Sequence, residues 1–503
     1  MSRVQLYISL IVLSLFASLA INPNVVLNAL GGAYETGFVV SQNDVKAAKW
    51  YGIAAERGNT NGQYKLGYMH QKGRGVPQSD EEAVRLYRLV AAKGYSTAQN
   101  QLGIMYKNGR GVPQSDEEAV KWYRLAAEQG DPSAQRNLAW MYAKGRGVPQ
   151  SEEEAVKRYG LAAEQGDPYE QFKLGWKYAK GNGVSQSDVE AVKWYRLAAD
   201  QGNSRAQNNL GLMYAKGRGV SKSNAKAAKW YRLAAEQGNA TAQNNLGLGY
   251  YTGRGVWQND AKAIKWYRLA AEQGHAGAQR NLGWMYESGR GVSKSNVEAV
   301  KWYRRSADQG NASGQNDLGR MYSKGRGVPQ NDAEAVEWFR LAAEQNHAHG
   351  QSNLGFMYGK GRGVPQSAAE AVRWYRLAAE QGSALGQTNL GVMYAKGRGV
   401  SQSNREAVKW YRLAADQGNA TARGNLGFMY AKGRGVSQSN RKAVKWYRLA
   451  ARQGNASAQN RLGFMYEKGR GVSQSNVRAV KWYRLAAEQN HQYALDKLKV
   501  LKR

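Results

Sequence analysis

Apolar positions recur along this chain with two superposed periods. Within the stretch Ala420 to Asn455, ATARGNLGFMYAKGRGVSQSNRKAVKWYRLAARQGN, the residues Ala422, Leu426, Met429 and Tyr430 fall at i, i+4, i+7 and i+8, one face of a first helix. Asn419 is placed to cap its start and Gly433 to close it in the left-handed region. A polar turn, Gly433 to Asn440, separates it from a second helix capped by Ser439 or Asn440. There Ala443, Val444, Tyr447, Ala450 and Ala451 make an apolar face, widened by Trp446 and Leu449, and Gly454 ends the helix. Each such unit is a helical hairpin with one sticky face that it cannot bury alone.

The second period is 36 residues. The leucine at 426 recurs from Leu30, Leu66 and Leu102 through to Leu462, thirteen copies without an insertion or deletion. A fixed period of this length marks a solenoid, in which each unit packs only on its neighbours and the core grows lengthwise. The expected fold is therefore all-α, a right-handed α/α superhelical solenoid of about thirteen 36-residue helical hairpins spanning residues 21–492. Gly427 lies inside the first helix, where glycine costs roughly 1 kcal/mol relative to alanine. Its column is glycine in twelve copies and Ala139 in the other, which points to close helix packing. The first copy is atypical, with Gly37-Phe38-Val39-Val40 in place of Gly-Arg-Gly-Val, as an end unit should be. Residues 493–503 are expected to form a basic capping helix, with Ala494 and Leu498 in register with Ala458 and Leu462.

Residues 1–20 differ from all of this. Arg3, the apolar run Leu6 to Phe16 and the small residues Ser18 and Ala20 are the pattern of a secretory signal cleaved after Ala20. The alternative is an uncleaved membrane anchor over residues 4–21. Both send the repeats across a membrane, to a secreted or periplasmic location, with membrane contact only through this segment.

The order Leu-Gly-x-x-Tyr, Gly-Arg-Gly-Val, Ala-Val-Lys-Trp-Tyr-Arg-Leu-Ala-Ala-Glu-Gln-Gly resembles the Sel1-like repeat family, a relative of the tetratricopeptide repeats. The resemblance covers roughly Asn24 to Gln492. It implies a right-handed superhelix of paired helices and a role as scaffold, adaptor or receptor for other proteins.

Composition adds a preference for acidic partners. The chain has 72 Lys plus Arg against 38 Asp plus Glu, a formal charge of +34, read as spread fairly evenly along the repeats. It has no cysteine, which excludes disulfides, thiolate metal sites and a cysteine nucleophile. Its five histidines are scattered, and the one close pair, His347 and His349, has a spacing that does not place two ligands on one helical face. No catalytic, cofactor-binding or metal-ligating set is expected, and no small-molecule substrate.

Two arginine columns stand out. One occupies the turn, from Arg74 to Arg470; the candidate partner-binding residues are its members Arg254, Arg290, Arg326, Arg362, Arg398 and Arg434, together with Trp257, an aromatic replacing the Pro or Ser of other turns. The bland reading is that these arginines bond helix-end carbonyls. The other column, from Arg88 to Arg484, lies four residues before Glu or Asp in most copies, as with Arg412 and Asp416, and is expected to pair within its helix. A tryptophan column, Trp50 and Trp122 to Trp482, is expected to pack between repeats. Sequons at Asn239, Asn311, Asn419 and Asn455 are read as helix caps. The function expected is a non-catalytic protein-interaction scaffold that binds acidic partners through its superhelical groove. The alternative is a polyanion-binding surface protein that uses the arginine ladder on acidic polysaccharide, lipopolysaccharide or nucleic acid.

Overall fold

A computed structural model describes residues 23–38 and 40–501; the signal or anchor segment, Val39, Lys502 and Arg503 lie outside them. The described residues form 27 α-helices and no strand. They divide into two units, 1–239 and 240–503. The first holds six hairpins, from Pro23–Thr36 to Asn224–Glu236; the second holds seven, from Ala240–Thr252 to Asn476–Ala487, followed by the single helix Gln492–Leu501. In that last helix Ala494 is fully buried and Leu498 packs on the core of the second unit.

The local rules set each hairpin. In the copy at 420–455 the first helix is Ala420–Lys432, and Asn419 Oδ1 accepts the Ala422 N–H at 2.9 Å. Asn311 and Asn455 cap in the same way. Gly433 is left-handed at φ +66°, and the Arg434 N–H donates to the Met429 carbonyl at 3.0 Å, which pins the backbone of the ladder arginine. The second helix, Asn440–Arg452, starts at Ser439, whose Oγ accepts from the Lys442 N–H. The alternative cap Asn440 is instead its first residue.

Helix-to-helix contact explains Gly427. A Cβ built there would lie 2.7 Å from Tyr447 Cδ1, so the phenol ring of the second helix packs directly against the glycine of the first. Gly435 serves a different approach. At φ +71°, it brings the turn against the start of the preceding second helix, where a Cβ would stand 2.3 Å from the Asn404 carbonyl oxygen. The arginine between Gly433 and Gly435 is thereby delivered to residue 404, thirty positions earlier.

Two expectations fail on geometry. Leu449 is half-buried but not among the residues packed on the core, and most of its column is exposed, with Leu341 and Leu413 each 44% exposed. At about 100° per residue, this position stands some 160° from the centre of the face made by Ala443, Val444, Tyr447, Ala450 and Ala451, while Trp446 stands only about 100° away and packs on the core. Arg412 does not pair with Asp416; it donates to Tyr430 Oη at 2.9 Å, in the first helix of the next hairpin, as Arg196 does to Tyr214 at 2.7 Å. A half-buried feature absent from the sequence reading is a glutamine pair repeated in successive hairpins. Gln345 Nε2 donates to Gln315 Oε1 at 2.8 Å, Gln381 to Gln351 at 2.7 Å and Gln417 to Gln387 at 2.8 Å, tying the end of each second helix to the first helix of the same hairpin through satisfied polar groups.

Candidate partner-binding site

The turn arginines fall into two classes, and the residue thirty positions earlier separates them. Where that residue is aspartate, at the first position of a second helix, Nε and Nη2 grip both carboxylate oxygens. In the first unit this holds for Arg74 on Asp44, Arg110 on Asp80, Arg146 on Asp116 and Arg218 on Asp188, at 2.6–3.1 Å. In the second unit it holds for Arg290 on Asp260, at 3.0 and 2.8 Å, and Arg362 on Asp332, at 2.9 and 2.6 Å. Arg362 also bonds the Ser323 carbonyl at 2.9 Å, the only one of the six candidate arginines bonding a carbonyl among the described residues. The Arg362 guanidinium holds the Asp332 carboxyl below its ordinary value, the bond outweighing the slight upward push of burial. These arginines clamp successive hairpins, and a partner would have to displace a carboxylate to reach their bonding edges.

Where the earlier residue is Asn or Ala, the clamp is missing. Arg326 faces Asn296 in sequence and approaches Glu287 only at 3.7 Å. Arg398, Arg434 and Arg470 correspond to Ala368, Asn404 and Asn440, and among the described residues none of the three forms an ion pair. All three are exposed; Arg434 lies over the Phe428 ring at 5.5 Å and Arg470 over Phe464 at 5.4 Å. Arg254 is exposed, and Trp257 is 95% exposed in its turn. The seven candidates therefore do not form one set: Arg290 and Arg362 are structural clamps, while Arg398 and Arg434 present free bonding edges, that of Arg434 beside an aromatic ring.

The charge is also not even along the chain. Residues 96–203 carry 14 basic and 14 acidic side chains; residues 384–491, an equal length, carry 19 basic and 4 acidic. The missing ladder aspartates are one part of that imbalance and added arginines such as Arg423, Arg441, Arg452, Arg461 and Arg478 another.

In the middle of the second unit, three copies place unlike charged groups together. Arg320 Nη1 and Nη2 each lie 2.6 Å from a Glu287 oxygen, Tyr303 Oη donates to Glu287 at 2.9 Å, and Arg280 Nε bonds Asp317 at 2.7 Å. Burial pushes the Glu287 carboxyl up, and Arg320 and Tyr303 more than offset it, leaving it below its ordinary value. The rings of His347 and His349 lie 5.9 Å apart beside this network, with His347 Nδ1 accepting the Gly350 N–H as a helix cap. Among the described residues, no group of three or more His, Cys, Asp or Glu side chains is arranged to hold a metal ion.

A Sel1 repeat model matches thirteen segments, from 26–59 and 60–95 to 420–455 and 456–491, and all but the first and fifth, which start at 26 and 171, begin at the first residue of a first helix. The chain belongs to the Sel1 repeat family. Among solved structures, this Sel1 repeat protein is similar to c5321, described as a protective antigen present in uropathogenic Escherichia coli strains displaying an SLR fold. The two are 35% identical with a TM-score of 0.70, over 90% of this chain and 93% of that one. It is also 35% identical to a Sel1 repeat protein from Oxalobacter formigenes, over 48% of this chain and 96% of that chain, with a TM-score of 0.45. Comparison with curated protein sequences gives no match. No helix among the described residues is long and apolar enough to cross a membrane.

Proposed function

We propose that this Sel1 repeat protein is a non-catalytic, exported scaffold that binds acidic protein partners through its C-terminal copies. The observation that carries the reading is the concentration of uncompensated cations at 384–491, where 19 basic residues face 4 acidic ones and the turn arginines have no aspartate to clamp. The family supports the scaffold role, because stacked hairpins offer a long, rigid array of side chains rather than one enclosed reaction centre. Guanidinium groups resting on aromatic rings are preorganised to receive carboxylates with their planar edges.

Titration of the full chain with polyglutamate and with heparin, from about 0.02 to about 0.5 M salt, tests this. An acidic protein site predicts that polyglutamate binding weakens with salt but persists above about 0.2 M, where screening shortens to below about 8 Å. Equal binding of both polymers, lost for both by about 0.2 M, would instead support the polyanion reading. Export rests on Arg3, the apolar run Leu6 to Phe16 and Ala20. The protein isolated from its own cells is expected to begin at Ile21, as read by intact mass; a cytosolic chain of full mass would refute it.

A further inference from the structure

The repeat contains its own model of a carboxylate site. In the first copy, Glu35 Oε2 accepts from Tyr51 Oη at 2.8 Å and meets Lys65, thirty residues on, at 3.0 Å. In the last copy, Glu467 accepts from Tyr483 Oη at 2.7 Å and meets Lys497, again thirty residues on, at 3.0 Å. The Glu287 network is a variant in which the carboxylate accepts from Tyr303 and is held by Arg320. In each case the acid projects from the end of a first helix, the tyrosine from the following second helix and the cation from the next first helix.

The copy at 420–455 keeps the tyrosine and the cation but not the acid. Ala431 stands in the column of Glu35 and Glu467, Tyr447 in that of Tyr51 and Tyr483, and Arg461 in that of Lys65 and Lys497. A cleft of 430 Å³ opens here, walled by Phe428 and Phe464, with Tyr447, Lys432, Arg461 and Arg470 around it and no acidic residue in its lining. Burial raises the pKa of the Tyr447 hydroxyl, and the adjacent Arg461 works against that rise. The Arg461 guanidinium lies 4.6 Å from the Phe428 ring centroid. Two further lining atoms, Asn460 Oδ1 and His491 Nδ1, are buried without a hydrogen-bond partner. An orphaned amide oxygen calls for a donor, which a carboxylate alone does not supply and a peptide N–H does.

We propose that this cleft is a receptor for an acidic peptide segment. One carboxylate of the peptide takes the place that Glu35 and Glu467 fill in their own copies, against Tyr447 and Arg461. A peptide N–H meets Asn460, and an apolar side chain lies between Phe428 and Phe464. The volume suits one or two side chains. This deepens the acidic-partner reading by assigning it a pocket, and rests on it.

The test uses the full chain and a fluorescent six-residue peptide of alternating glutamate and leucine, with a glutamine–leucine counterpart. The Ala431→Glu variant restores the protein's own carboxylate, as in the last copy, and is expected to weaken glutamate-peptide binding at least about 10-fold while holding or raising the thermal midpoint. Ala395→Glu makes the same charge change in the previous copy, where Asn425 stands in Arg461's column, and is expected to change affinity less than about 2-fold. The glutamine peptide is expected to bind at least about 10-fold more weakly than the glutamate peptide. Equal losses in both variants, or equal binding of both peptides, would overturn the cleft. Polyglutamate binding that survives such a result would leave the broader acidic-partner reading standing. Absence of glutamate-peptide binding to the unmodified chain at about 1 mM also overturns the cleft. Peptide binding sensitive to Ala431→Glu, in a chain that does not take up polyglutamate, would keep the cleft and remove the broader reading.

Discussion

Glu287→Ala is expected to lower the local stability of the second unit by about 2 kcal/mol. The pair it breaks is bidentate, with Arg320 28% and Glu287 11% exposed at the side chain. Removing one partner of a fully buried pair costs roughly 3–5 kcal/mol, because the other charge is left desolvated and alone. Here Arg320 keeps Asp317 at 3.6 Å and some solvent, so the cost falls below that range, to about 2 kcal/mol. The measurement is hydrogen exchange over Ala276–Ser288 and Ala312–Lys324, where about 2 kcal/mol appears as roughly 30-fold faster exchange. Global unfolding is a poor readout, since long repeat arrays lose cooperativity. The pH dependence has a definite sign. The folded carboxyl lies below its unfolded value of 4.5, so its stabilisation is complete above that value and is lost as pH falls through the folded one. The protein with Glu287 intact should therefore lose protection in this region on acidification, and the alanine variant should be flatter across the same window. Equal protection in both proteins at neutral pH would show that the network adds nothing to stability.

The sequence made legible whatever depends on contacts within one helix or at its ends. Asn419 caps, Gly433 turns left-handed, and Ala422, Leu426 and Ala443 are fully buried, all as the spacing predicts. What it hid are contacts 18 or 30 residues long, whose partners depend on how neighbouring helices are stacked. Arg412 has an acid four residues away but finds Tyr430 on the next hairpin, where the phenol oxygen is held in place by packing rather than carried on a flexible, solvated side chain. The ladder arginines looked equivalent because their own column is nearly invariant; the difference lies in a second column, Asp44 to Asn476, that becomes their neighbour only after stacking. The signal was present as a co-occurrence: Asn182, the one turn position from 74 to 470 lacking arginine, goes with Glu152, which Lys177 takes instead at 2.6 Å. The cleft at Ala431 was hidden for a related reason, since alanine is common in that column and acquires meaning only beside Arg461.

Replacing Arg398, Arg434 and Arg470 together by glutamine is expected to weaken polyglutamate binding about 30-fold at low salt, with little change in stability. The same triple change at Arg110, Arg146 and Arg218 removes the same formal charge and is expected to do the reverse. Those three are spent on Asp80, Asp116 and Asp188, whose carboxylates would be left facing the turn, so affinity should hold within about 3-fold while stability falls by up to about 1 kcal/mol per lost pair. The free arginines have no such partner, and each is already set against an aromatic ring or open solvent, so each contributes to an incoming acid roughly 0.7 kcal/mol at low ionic strength. Three such terms give about 2 kcal/mol, the 30-fold stated. The two triples are compared by fluorescence titration for affinity and by hydrogen exchange for stability, at one salt concentration. If both lose affinity equally, binding responds to net charge alone and the division of the ladder into clamps and free edges has no functional consequence. If only the C-terminal triple does, the loss of aspartate from the second-helix column in the last copies is what converts a structural ladder into a binding surface.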